Sequence, residues 1–147
     1  MEVFRITHAK WAGILSGSGQ AARWNSNGVF ICYSGSSRAI SCLEMLVHLS
    51  GEQLQTDFKL TIIEISDDIE IEQLDEFNDP EWSEFKNFYK SQSIGDEWAK
   101  SLRTAVLRVP SAIIKNEYNY LINPQHHDFV KIKIKKIENF YFDLRLK

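Results

Sequence analysis

Ser37, Ser41, Glu44 and His48 are spaced by three or four residues, and together they offer two hydroxyls, one carboxylate and one imidazole. On a helix that spacing stacks the side chains along one line. A solvated stripe of this length usually carries lysines and several acids, whereas one carboxylate among groups that hydrogen-bond suits the wall of a ligand cleft. Spacing alone leaves both readings open: a cleft wall, or the exposed face of an otherwise buried helix. Arg5 stands between apolar residues in Val3-Phe4-Arg5-Ile6, as an edge-strand charge reaching to water or as an anion ligand. Ser111 follows Pro110 where the backbone must leave a strand, the usual place of a turn or cap hydroxyl. His126-His127-Asp128 has the residue types of a metal site, but adjacent imidazoles do not easily aim at one ion and no third cluster completes the set. No metal is expected.

The elements that must position these groups centre on the stretch from Arg23 to Leu49. Asn25-Ser26-Asn27-Gly28 is a turn signal, because Asn tolerates and Gly permits a left-handed backbone. Val29 to Tyr33 reads as a short strand. Ser34 to Ser37 is a loop with an N-cap candidate, and Arg38 to Leu49 is a helix stopped by Gly51. Its apolar face is Ala39, Ile40, Leu43, Leu46 and Val47, continued by Cys42, Met45 and Leu49.

Around that stretch, Val3 to Ile6 predicts a strand, Trp11 to Leu15 a short helix or turn, and the β-branched run Phe58 to Ile65 a central strand. The acid-rich segment from Asp67 to Asp79 is a solvated loop or helix face without assigned chemistry. One helix is expected to start at Pro80 and another at Ile94, the latter running to about Arg103 with Asp96 and Glu97 in its first turn. Trp82 and Trp98 are expected as core anchors. Ala105 to Val109 reads as a strand, and Val130 to Lys136 as one with a solvated lysine face. The alternation from Phe140 to Leu146 predicts a further strand, paired with the previous one in a hairpin about Glu138-Asn139. Strands and helices mixed in this order, with strands finishing the chain, imply an α+β fold.

The chain has 147 residues, 44% of them hydrophobic and 12% aromatic, enough for one compact domain over residues 1–147. A formal charge of −3 argues against a dedicated nucleic-acid binder. With no apolar run near membrane-spanning length and no signal-peptide layout, no membrane association and a cytoplasmic location are expected. Cys32 and Cys42 are expected as small core residues rather than a disulfide or zinc pair.

Phe4-Arg5, then Gly17 and Gly19, then Arg23-Trp24-Asn25-Ser26-Asn27-Gly28, Tyr33-Ser34, Leu43-Glu44 with His48-Leu49, Pro110-Ser111, and Asn119-Tyr120-Leu121 with Asn123-Pro124 and His126 form an ordered series. In that order and spacing the chain resembles the RES domain, the toxin half of bacterial RES–Xre toxin–antitoxin pairs, over nearly its whole length. It departs at Ala22, where the family prefers Gly, so the backbone before Arg23 is expected to approach a ligand less closely. The family's eponymous Arg, Glu and Ser fall on Arg23, Glu44 and Ser111. The resemblance implies a fold similar to the NAD-binding core of ADP-ribosyltransferase toxins, a mixed or antiparallel sheet with flanking helices, and cleavage of the nicotinamide–ribose bond of NAD as substrate.

Nicotinamide leaves NAD⁺ as a neutral molecule, so no general acid is required, and a single carboxylate can stabilise the oxocarbenium-like transition state. By this resemblance Glu44 accepts from a ribose hydroxyl, Arg23 holds the pyrophosphate, Tyr33 stacks on nicotinamide, and Ser111 and His48 orient the ribose or nicotinamide side. Arg5, Ser34 and Asn123 join the substrate-binding set, Arg5 as a second phosphate ligand. The family also implies a helix-turn-helix antitoxin of Xre type and a toxin homodimer within the antitoxin complex. Two rivals stand beside an NAD-degrading toxin. One is an ADP-ribosyltransferase acting on a cellular protein; the other is a non-catalytic module in which Arg23 and Glu44 form a structural ion pair.

Overall fold

Phe58–Ile65, the most β-branched run in the chain, forms strand β3, flanked by β1 (Glu2–His8) and β7 (Ile132–Phe140). The computed structural model describes residues 1–74 and 80–147. The remaining strands are β2 (Cys32–Gly35), β4 (Ile71–Gln73), β5 (Val106–Pro110) and β6 (Tyr118–Ile122). They complete a seven-stranded sheet in the order β4-β5-β6-β2-β1-β3-β7. Only the β4–β5 pairing is parallel; the other neighbours run antiparallel. The architecture is α+β.

Alternation along the strands sorts side chains to two faces. Val3, Cys32, Ile63, Val106, Ile122 and Ile132 share one apolar cluster. On the other face, Ile6, Leu60 and Ile62 pack with Leu46 of helix α1 (Arg38–Leu46). Leu107 and Leu121 pack with Trp98 of helix α2 (Phe88–Ser101). Trp98 is a core anchor as expected, its indole N–H donating to Thr104 Oγ1 at 2.9 Å. Trp82 is half-buried against Trp24. Cys32 is buried and Cys42 half-buried, both as free thiols, and burial pushes both thiols up from their ordinary value.

Four sequence expectations change. The strand expected over Val29–Tyr33 lies at Cys32–Gly35, because residue 29 belongs to the turn: its N–H donates to Ser26 O and its carbonyl accepts from Asn25 Nδ2. Helix α1 is capped by the Ser37 hydroxyl, which accepts from Ile40 N at 3.1 Å, but it ends at Leu46, where the His48 and Leu49 amides tighten onto carbonyls three residues back. The two helices expected from Pro80 and Ile94 are replaced by a turn over residues 80–83 and the single helix α2. Gly95-Asp96 is therefore helix interior rather than a helix start. Finally, β7 runs unbroken through Glu138-Asn139, paired with β3 from Ile132 to Phe140, so there is no hairpin. A bulge opposite Ile62/Ile63 shifts the side-chain parity within β7, which places Ile134 and Ile137 on one face though they are three apart. Of the acidic segment, Asp75, Glu76 and Asp79 lie outside the described residues.

Candidate active site

Strands β1 and β2 share only one register pair, Phe4↔Gly35. A Cβ on Gly35 would sit 2.5 Å from Ser41 Oγ and 2.7 Å from Ile40 Cγ2, so glycine is what lets α1 settle against the sheet at this seam. Beside the seam a cavity of about 470 Å³ opens, within the usual range for small-molecule sites. Arg5, Arg23, Tyr33, Ser34, Glu44 and His48 all line it.

The polar stripe of α1 divides by position. Ser37 caps the helix, and buried Ser41 donates its hydroxyl to Phe4 O at 2.8 Å, which fastens α1 to β1. Among the described residues Glu44 alone brings a carboxylate into the cavity. Its Oε1 accepts from Ser111 Oγ at 2.9 Å and from Asn119 Nδ2 at 2.6 Å. Ser111 does not itself line the cavity; its hydroxyl oxygen accepts from the Ile113 and Ile114 amides at 3.1 and 3.2 Å. With both lone pairs used, its proton is committed to Glu44. The turn hydroxyl expected from Pro110-Ser111 and the eponymous family serine are thus one group with two jobs. Among the described residues nothing donates to Glu44 Oε2.

Arg23 also lines the cavity. Its Nη1 donates to Ser83 O at 2.9 Å, and the guanidinium lies 4.4 Å from the Phe88 ring centroid and 5.8 Å from that of Trp82. Partial burial pulls it below its ordinary range, against the pull of the Glu44 and Tyr33 side chains. Among the described residues no ion pair joins Arg23 to Glu44, so the two charges face one cavity without neutralising each other by contact. The loop bearing Arg23 is held by α2. Gln92 Nε2 donates to Ala22 O at 2.9 Å, the Ser91 hydroxyl to Arg23 O, and Asp96 accepts from the Ser26 amide at 2.9 Å and from the Ser26 hydroxyl. Gly95 makes that docking possible, since a Cβ there would meet Trp24 O at 1.7 Å.

Tyr33 joins the cavity wall to the turn. Its hydroxyl donates to Asn25 Oδ1 at 2.6 Å and accepts from Trp24 N at 3.0 Å, and burial raises it well above its ordinary value. Asn25 in turn donates to Gln20, Ser26 and Val29 carbonyls, and Gly28 closes the turn at φ +87°. Ser34 lines the cavity with its hydroxyl donated to Tyr120 O at 2.8 Å. Arg5 donates to Ile14 O at 2.9 Å, and His48 stands exposed beyond the end of α1. Asn123 is placed apart from the cavity: it is buried and bonded to Ala99 O at 2.9 Å and to the Gln125 amide at 3.0 Å. The ligand atoms of His126, His127 and Asp128 come within 4.8 Å of one another, closer than adjacency suggested. Yet His126 Nδ1 already accepts from the Asp128 amide, and Lys131 lies 3.3 Å from the Asp128 carboxylate.

The sequence assigns no site role to Asn119, Phe88, Ser91 or Gln92, and it marks Trp82 only as a core anchor and Asp96 only as a first-turn acid. One local signal for Asn119 existed: Asn is disfavoured inside strands, and this one interrupts an aromatic and apolar run from Tyr118 to Ile122.

Comparison with known proteins places this geometry among relatives. Prs ADP-ribosylating toxin of Sphingobium sp. (strain YBL2) is 41% identical over 138 residues, 90% of this chain and 86% of the relative. Toxin Res of Photorhabdus laumondii is 34% identical over 152 residues, 99% of this chain and 97% of the relative. In fold, a chain from the crystal structure of the M. tuberculosis MbcT–MbcA toxin–antitoxin complex matches with a TM-score of 0.78 over 95% of this chain and 84% of its own, at 16% identity. The RES domain model matches residues 2–143, so the arginine, glutamate and serine gathered about this cavity belong to a member of the RES domain family.

Proposed function

We propose that this chain is the toxin of a toxin–antitoxin pair, and that it breaks the nicotinamide–ribose bond of NAD. The observation that carries the reading is Glu44: one carboxylate oxygen is clamped by Ser111 and Asn119, and the other is left to a ligand in a cavity that Arg23 also lines. As the C1′–N bond breaks, nicotinamide departs with the electron pair as a neutral molecule, and positive charge spreads over C1′ and the ring oxygen. A carboxylate bonded to a ribose hydroxyl lies beside that charge without being protonated, which is the arrangement that stabilises a developing cation. Arg23 presents a planar fork to the pyrophosphate, Arg5 adds a second cation, and the ring of Tyr33 offers a face to nicotinamide. The acceptor then bonds C1′ through oxygen and loses its proton.

A second reading is favoured by the name of the Sphingobium relative, an ADP-ribosylating toxin: the ADP-ribosyl group passes to a protein rather than to water or phosphate. Incubating the purified chain with NAD, with and without bacterial extract, and identifying products by mass separates the two. Nicotinamide with free or phosphorylated ADP-ribose supports degradation, and nicotinamide with ADP-ribosylated protein supports transfer. No nicotinamide under either condition overturns both. The fold neighbour comes from a toxin–antitoxin complex, which supports an antitoxin partner; the resemblance adds that it is Xre-like and covers the cavity, with a toxin homodimer within the complex. Among the described residues no helix is long and apolar enough to cross a membrane.

A further inference from the structure

Asn119 lies on β6, opposite Gly35 of β2 and Val109 of β5. In the middle of a sheet this is a poor place for an asparagine, and the structure shows a cost: its Oδ1 is buried and, among the described residues, accepts no hydrogen bond. Its Nδ2, by contrast, makes the shorter of the two bonds to Glu44 Oε1. Two donors on one oxygen fix the rotation of a carboxylate about its last torsion, which is otherwise broad. Ser111 alone fixes one direction and Asn119 supplies the second. Gly35 directly opposite lets Ile40 and Ser41 of α1 come close to the sheet beside Asn119.

We propose that Asn119 is a positioning residue: it locks the Glu44 carboxylate so that Oε2 meets the ribose, and it does so at the expense of its own unsatisfied carbonyl. The inference rests on the NAD-cleaving reading of the site. An apolar replacement of about the same shape removes the unsatisfied Oδ1 along with the bond to Glu44, two effects of opposite sign, so it should change stability little while impairing turnover.

The test is Asn119→Leu, with Asn119→Ser as the second variant should the first not fold, assayed for nicotinamide release alone and combined with Glu44→Gln. The expected result is a kcat about ten- to a hundredfold below wild type, KM for NAD within about twofold, and a Tm close to that of wild type. In the Glu44→Gln background the same change should cost nothing further, because a residue that acts through the carboxylate has nothing left to position. Unchanged kcat, an effect confined to KM, or a full additional loss in the Glu44→Gln background would each overturn the inference. Those outcomes differ from failure of the underlying reading, in which the wild type itself releases no nicotinamide and the inference falls with it.

Discussion

Glu44 is held by donors from two neighbouring segments of the sheet, Ser111 just after β5 and Asn119 within β6, whereas Arg23 is held by one loop carbonyl and two aromatic faces. The anionic wall thus has its geometry set by strand register, and its hydrogen bonds are directional. The cationic wall rests on a loop that α2 clips in place, and on contacts with rings that tolerate sliding. Under the proposed reaction the difference matches what each side would have to do. Stabilising a cation at C1′ requires one oxygen at one place before the reaction begins. Holding a pyrophosphate requires charge and a fork, and some freedom to follow the ligand.

If that contrast is right, the sharpest break is Glu44→Gln. It keeps the side-chain shape but removes charge and presents an amide to two donors, so turnover should fall by roughly two to three powers of ten with the fold intact by circular dichroism. Next, Gly95→Ala attacks the cationic wall from behind. Its methyl collides with Trp24 O, and the cost read from urea denaturation should be ~3 kcal/mol, since the obstacle is backbone and cannot rotate away. Arg23→Lys leaves a charge but no fork and no stacking plane, so kcat/KM for NAD should drop about tenfold, ~1.4 kcal/mol. A larger loss than that of Glu44→Gln would reverse the ranking of the two walls.

Tyr33→Phe keeps the ring and strips the bonds to Asn25 and Trp24, which should cost ~1 kcal/mol of stability while turnover changes little. The same variant reads the burial of the phenol. Because the folded state holds the Tyr33 proton above the ordinary value of 10.0, the unfolded chain ionises first as pH rises. Well below pH 10 the shift costs nothing, and as pH approaches and passes 10 the native state loses ground, by about 0.4 kcal/mol at pH 10 and about 0.8 kcal/mol near pH 10.5. Tyr33→Phe should lack that loss, so the stability gap between the two proteins narrows in denaturation curves taken from pH 9 to 10.5.

Local chemistry was legible where it acts locally. The β-branched run gave β3 its bounds, Ser37 announced the α1 cap, and Asn25 to Gly28 announced the turn. The sequence also led to Arg23, Glu44 and Ser111, through order and spacing with a resemblance attached. What stayed hidden depends on partners far along the chain. Gly95 looked like a helix boundary because the reason for its missing side chain is the carbonyl of Trp24. Glu138-Asn139 looked like a turn because the bulge in β7 disturbs the alternation that marks a strand. Ser41 lines the cleft as its spacing suggested, but its hydroxyl is turned to the Phe4 and Ser37 carbonyls. Asn119 gained a role only once β6 was set beside β2.

The lone Phe4↔Gly35 pair between β1 and β2 is the narrowest hydrogen-bonded join in the sheet, with the block β4-β5-β6-β2 on one side and the block β1-β3-β7 on the other, though one apolar cluster packs across it. Helix α1 spans the join, capped by Ser37 just after β2 and bonded through Ser41 to β1. Backbone amides within each block are protected by full ladders, and opening the join breaks few of them. Hydrogen exchange should therefore divide the molecule into two cooperative units along this line, and a ligand that grips Arg5 on one block and Glu44 across the join would fuse them into one.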